Sequence, residues 1–232
     1  MRRRPTIVVF AILALGIVIA GTVLLIGRHG SGSARGDVDP LIVIDAGHGG
    51  RDPGATCEGI EEADVDLAVA RRVAALIDTD GRLALRMTRS SDVYVTLEKR
   101  IVMANNADAA LYLSIHVNAC DYPDVTGIET LVSEKLVPEA PAWQFAEILQ
   151  DAVATATGAR DRGTRSQDLY LHRASMPAAI LEMGFLTNDG ERRKLLDPSY
   201  QQTMAEAIYR GIVAYLAYAD PDFPDEASAS SP

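Results

Sequence analysis

Cysteine is nearly absent: Cys57 and Cys120 are the only two in 232 residues, too few for a disulfide scaffold. Basic side chains are also scarce. Lys and Arg number 22 against 32 Asp and Glu, and five of the 22 precede Gly36, where no acid occurs. The chain from Gly36 onward holds 17 basic and 32 acidic residues, a formal −15, which disfavours nucleic acid as a partner and otherwise describes a soluble, self-repelling surface. Histidine occurs four times. No internal repeat is visible, and the H-E-x-x-H helix spacing of many zinc peptidases is missing.

Charge is absent altogether from Thr6 to Gly27, TIVVFAILALGIVIAGTVLLIG. At 1.5 Å per helical residue this run spans roughly 33 Å, enough to cross a bilayer. Arg2, Arg3 and Arg4 stand before it, and positive charge stays inside. The run is too long for the apolar part of a signal peptide, and the nearest small-x-small site, Gly32-Ser33-Ala34, lies well beyond it. Residues 1–5 are therefore expected to be cytoplasmic, 6–27 a single-pass membrane anchor, and the rest to face outward. Residues 28–40, rich in Gly and Ser, read as a flexible linker. Residues 220–232, PDFPDEASASSP after Asp220, read as a disordered tail.

Between these limits, at 41–219, apolar runs alternate with helical periodicity. LIVIDAG, LALRMT, LYLSIHV, GIETLVS and AAILEMGF read as strands, and helices are expected from Glu62, around Thr96–Asn106, over Ala140–Thr157 and over Tyr200–Tyr218. The pattern predicts an α/β fold, a three-layer sandwich with a mostly parallel central sheet and helices on both faces.

In such sheets ligands bind beyond the C-terminal ends of the strands. His48 and His116 stand at two of these ends and Glu182 at a third, while Glu61 and Glu62 open the first helix. Two imidazoles and one helix-opening carboxylate make a three-ligand catalytic zinc set with one position left for water, and Glu182 is placed to take that water's proton. Singly, each residue also reads as an ordinary polar group or a helix-end acid. Cys57 and Cys120 fall near the same rim, where a disulfide, two free thiols and metal ligation are all open. His172, in LYLHRAS, reads as a polar residue near a loop, with substrate contact as the alternative.

VIDAGHGGRDPGA, EEADVDLAVA, TRSSDVYVTLEKRIVMAN, LYLSIHVNA and ASMPAAILEMGFLTN resemble, in order, the motifs of the zinc-dependent N-acetylmuramoyl-L-alanine amidases of the Amidase_3 family. The resemblance spans about Leu41 to Tyr218. It implies one zinc ion held by His48, Glu62 and His116, with Glu182 catalytic and 41–219 the catalytic domain. The implied substrate is peptidoglycan or its muropeptide fragments, cut between N-acetylmuramic acid and L-alanine. A zinc peptidase or carboxypeptidase and a non-catalytic peptidoglycan-binding module are the competing readings. Arg89 and Arg100 match recurrent family positions and are expected to be structural ion-pairing groups. Regulated relatives carry a long inserted helix over the zinc, whereas Val117–Gly127 is short here, so an open site is expected. A monomer is the default, and the sequence leaves a protein activator open.

Overall fold

The computed structural model describes residues 39–224. The expected N-terminal segment 1–5, the anchor at 6–27, the linker to 38 and the tail from 225 lie outside them. No helix among the described residues is long and apolar enough to cross a membrane.

LIVIDA forms β1 (Leu41–Ala46) and LYLSIHVN forms β5 (Leu111–Asn118). Both are central strands covered on two sides, which is why their sequences are continuously apolar rather than alternating. Between them lie the short hairpin strands β2 (Thr56–Cys57) and β3 (Ile60–Glu61), helix α1 (Glu62–Thr79), strand β4 (Ala84–Met87) and helix α2 (Leu97–Asn105). The chain continues through β6 (Ile128–Ser133), α3 (Pro141–Thr157), β7 (Asp161–Gln167), a 3-10 turn (Tyr170–Arg173), β8 (Ala178–Phe185), α4 (Asp189–Leu195) and α5 (Pro198–Ala219). The sheet order is β4-β1-β5-β8-β6-β7. All neighbouring pairs are parallel except β6 with β8. This is the three-layer α/β sandwich that the alternation predicts.

Successive strand residues point to opposite faces, so Ile42 and Ile44 join one core and Val43 the other. The larger core packs α1, α3 and α5 through Val69, Val73, Phe145, Leu149, Ile208 and Ile212. The smaller one gathers Val43, Ile101, Ala104, Tyr112, Leu171 and Ala178 beneath α2 and the 3-10 turn. At about 1.5–3 kcal/mol per fully buried apolar side chain, the larger cluster carries the domain. That leaves the second face free to open. His116 and Glu182 lie further along β5 and β8 on that face, and both are partly exposed.

Three features depart from the sequence expectation. β7, DRGTRSQ, has no apolar alternation because it is an edge strand, with side chains mostly exposed and its ladder made to β6 alone. α4 and the hairpin β2–β3 are too short for periodicity to register. The closing helix starts at Pro198 rather than Tyr200, because Asp197 caps it by accepting from the Ser199 and Tyr200 amides (2.7 and 3.2 Å). No helix intervenes between β5 and β6.

Candidate active site

β1, β5 and β8 run parallel, so their C-terminal ends share one rim. His48 follows β1 with a positive φ of 52°, His116 lies near the end of β5, and Glu182 is its direct register partner on β8. Glu62, the first residue of α1, is buried and reaches this rim. Its Oε1 lies 3.2 Å from His48 Nε2 and 3.0 Å from His116 Nδ1. Glu61 is exposed and its side chain makes no cap. Of the two adjacent acids, Glu62 is the one brought to the histidines.

The backbone fixes this carboxylate from behind. Ala55 N–H donates to Glu62 Oε2 (2.8 Å) and Val117 N–H to Oε1 (3.2 Å). Two glycines make the close approach possible. A Cβ at Gly47 would collide with His116 Cε1, and one at Gly54, where φ is 68°, would lie 2.6 Å from Glu62 Oε2. Burial works against the Glu62 charge, but hydrogen bonds from His116 and His48 outweigh it and bring the carboxyl down to about 2. Burial likewise opposes a charge on His48, which Glu62 and Asp52 overcome, raising its imidazole. One ligand atom from each of His48, Glu62 and His116 falls within 4.8 Å of the others. Ring nitrogens and a carboxylate oxygen that converge in this way can hold a cation between them. The donor set of two nitrogens and one oxygen fits a metal ion, so the residues present suit the group that the sequence implies.

Glu182 is set apart from this cluster by its environment. Its Oε2 is enclosed and has no hydrogen-bond partner among the described residues. Burial pushes its carboxyl up to about 7, against the opposing pull of His116. A carboxyl near 7 with a free oxygen can take and return a proton at neutral pH. Across the sheet Glu129 is its register neighbour on β6, with Arg162 at 2.9 Å and Asn118 at 3.1 Å.

Sequence reasoning missed two carboxylates here. Asp66, one helical turn after Glu62, is fully buried with both oxygens unpartnered, 3.9 Å from His116 Nδ1. Burial raises it well above the ordinary carboxylate range. Its four-residue spacing from Glu62 on an otherwise apolar helical face was the signal for it. Asp45, at the end of β1, was hidden within an apolar run and is 1% exposed.

Arg100 pairs with Asp45 at 2.7 Å and also donates to the carbonyls of Ala46 and His48. Arg89 departs from the ion-pairing expectation. It donates instead to the carbonyls of Ala46 (3.0 Å), Gly47 (2.5 Å) and Ala63 (2.8 Å), gathering the loop that carries His48. His172 lies in the 3-10 turn, its Nδ1 2.9 Å from the Leu169 carbonyl. Cys57 and Cys120 are free thiols: the first accepts from Arg192 (3.4 Å), the second faces the Tyr122 carbonyl (3.1 Å). A cavity of about 150 Å³ opens beside His116, walled by Leu97, Ile101, Leu169 and Ile180. A larger one of about 430 Å³, at Trp143 and Tyr218, shares no residue with the site.

Comparison with known proteins agrees with this geometry. The chain is 36% identical over 179 residues to the N-acetylmuramoyl-L-alanine amidase LytC of Bacillus subtilis (strain 168), covering 77% of this chain and 36% of LytC. It thus spans little more than a third of that relative. It is 36% identical to the endolysin of Bacillus phage SPP1, covering 76% of this chain and 66% of the endolysin. Among solved structures, an N-acetylmuramoyl-L-alanine amidase from Clostridium difficile 630 superposes with a TM-score of 0.75 at 31% identity, covering 78% of this chain and 98% of that one. The catalytic domain of CwlV, an N-acetylmuramoyl-L-alanine amidase from Bacillus (Paenibacillus) polymyxa var. colistinus, gives 0.72 at 34%, with 76% and 98% covered. The family profile described as N-acetylmuramoyl-L-alanine amidase matches residues 42–214, most of the chain, and the chain therefore belongs to that family.

Proposed function

We propose that this chain hydrolyses the amide between the lactyl group of N-acetylmuramic acid and the L-alanine of the peptidoglycan stem peptide, with one zinc ion at His48, Glu62 and His116. The single observation that carries the reading is the enclosed, unpartnered Oε2 of Glu182 directly across the sheet from His116, the β5 member of the three-donor cluster. A zinc ion held there would supply Lewis acidity toward the scissile carbonyl and would acidify water. Glu62 and the two imidazoles hold the ion's position. Glu182 Oε2 accepts the proton of the attacking water and passes it to the departing alanine nitrogen, a role its raised pKa suits. The Ala119–Gly127 connection has no helix to cover the rim, which favours a site open to polymeric or fragmentary substrate.

Residues 6–27 anchor the chain in this reading, with the catalytic domain on the outer side of the membrane, where peptidoglycan lies. The enzyme acts as a monomer. Its localisation is checked by fractionation: the protein should stay with membranes after a high-salt wash and be released when residues 1–27 are deleted.

The activity is tested by incubating the full chain with purified peptidoglycan, with and without zinc, and reading the products by mass spectrometry. Whole stem peptides with a free N-terminal alanine are expected, and Glu182→Ala should lower turnover by at least about 100-fold. Shortened peptides would move the assignment to a peptidase. Binding without turnover would make it a wall-binding module.

A further inference from the structure

Asp45 takes no part in the reaction above, yet four side chains donate hydrogen bonds to its carboxylate. Its Oδ1 accepts from the Thr88 hydroxyl and from Arg100 Nη1 (2.7 Å). Its Oδ2 accepts from the Tyr112 hydroxyl (2.7 Å) and from Ser114 Oγ (2.6 Å). Burial raises the Tyr112 phenol well above its ordinary range, so it remains a donor. An ionised carboxylate offers no hydrogen. The one hydroxyl proton of Ser114 is therefore committed to Asp45.

Ser114 Oγ also lies 3.0 Å from His116 Nε2. With its proton already directed to Asp45, the hydroxyl can meet Nε2 only as an acceptor, so Nε2 carries the hydrogen. To bind a metal ion the ring must offer one nitrogen lone pair, and with the hydrogen on Nε2 that lone pair falls on Nδ1. That is the nitrogen 3.0 Å from Glu62 Oε1, on the side of the donor cluster. The neighbouring Asp66 approaches Nδ1 rather than Nε2 and makes no hydrogen bond, so it does not compete for this role.

We propose that Asp45, acting through Ser114, is a positioning residue that locks His116 in its Nε2–H tautomer and so sets the affinity of the site for its metal ion. The proposal rests on the metal-site reading above but not on which bond the enzyme cuts. Residues that orient a metal-binding histidine typically change metal affinity by about 10- to 100-fold when removed. Ser114 is the weak point of the chain of contacts, because it has no second hydroxyl and no other side chain reaches Nε2 among the hydrogen bonds of the described residues.

The test uses the full chain, stripped of metal, and measures the zinc dissociation constant by competition with a chromogenic chelator. Imidazole ¹⁵N shifts of the histidine-labelled protein report the tautomer, and thermal melting of the metal-free form reports the fold. Ser114→Ala should weaken zinc binding about 10- to 100-fold and mix the tautomers of His116, with metal-free melting unchanged. Ser114→Thr, which restores a hydroxyl, should recover both. Asp45→Asn should reproduce the alanine phenotype. If it does not fold, the Ser114 pair decides. Wild-type zinc affinity in Ser114→Ala, or a wild-type His116 protonated at Nδ1, overturns the proposal. Loss of zinc affinity in these variants alongside a wild type that releases no stem peptide would leave this inference standing and sink the amidase reading instead.

Discussion

Burial raises the Glu182 carboxyl to about 7 from an ordinary value of 4.5, so the metal-free folded chain keeps this proton at pH values where the unfolded chain has lost it. Folding then binds a proton between those limits. Stability contributed at this position is fully present below about 4.5 and declines as pH rises through about 7. The full deficit above that range is on the order of 3 kcal/mol. Glu182→Gln removes the titration while keeping the shape. The metal-free Gln variant should therefore lose less melting temperature than the wild type between pH 5 and pH 8, while its turnover of peptidoglycan is abolished. Equal losses in the two proteins would show that the carboxyl is not strained by its burial. In the proposed reaction the same side chain thus costs stability and supplies the proton transfer, a conflict expected at catalytic positions.

At the scale of the element, short α4 braces the rim from outside. Asn188 caps it, accepting from the Gly190 and Glu191 amides (both 3.0 Å), and its own amide donates to the Pro123 carbonyl (2.6 Å) in the β5–β6 connection. Glu191, held by that first turn, accepts from Phe185 N–H and Gly127 N–H (both 2.7 Å). One capping residue thereby ties the end of β8, which carries Glu182, to the start of β6. Asn188→Ala should cost about 1 kcal/mol, the usual value of an N-cap, read as a lower denaturation midpoint with an unchanged slope. A variant as stable as the wild type would mean that the connection holds without α4.

At the scale of the whole molecule, the three candidate metal ligands come from α1, β5 and the loop after β1. It exists only in the folded chain, so metal binding and folding are linked. Zinc at a free concentration 100 times its dissociation constant should stabilise the domain by about 2.7 kcal/mol. This raises the melting temperature by several degrees, and a chelator reverses it. His116→Ala should abolish the difference. A zinc-induced shift that survives in that variant would place the ion elsewhere.

The range over which each signal acts explains how much of the fold and site was legible in the chain. Periodicity and strand-end position are local, and they were enough to order the main strands and helices and to mark His48, His116, Glu182 and an acid at the start of the first helix as residues that meet. Edge strand β7 escaped because one exposed side needs no apolar alternation, and α4 because it is too short for a helical period to emerge. The choice between Glu61 and Glu62 needed the family resemblance as well as position, since adjacent acids differ only in which way the first helical turn points them. The sequence by itself determined the layer architecture and the identity of the chemical groups, because both are written in residue type and spacing. Only the tertiary structure decided that Cys57 and Cys120 stay apart, that Arg89 binds carbonyls rather than an acid, and that Asp66 is buried without a hydrogen-bond partner beneath the site. It also decided that Asp45 is joined to His116 through Ser114. Those outcomes depend on which distant groups share a few ångströms of low-dielectric space, where burial and hydrogen-bond partners set the charge of each group.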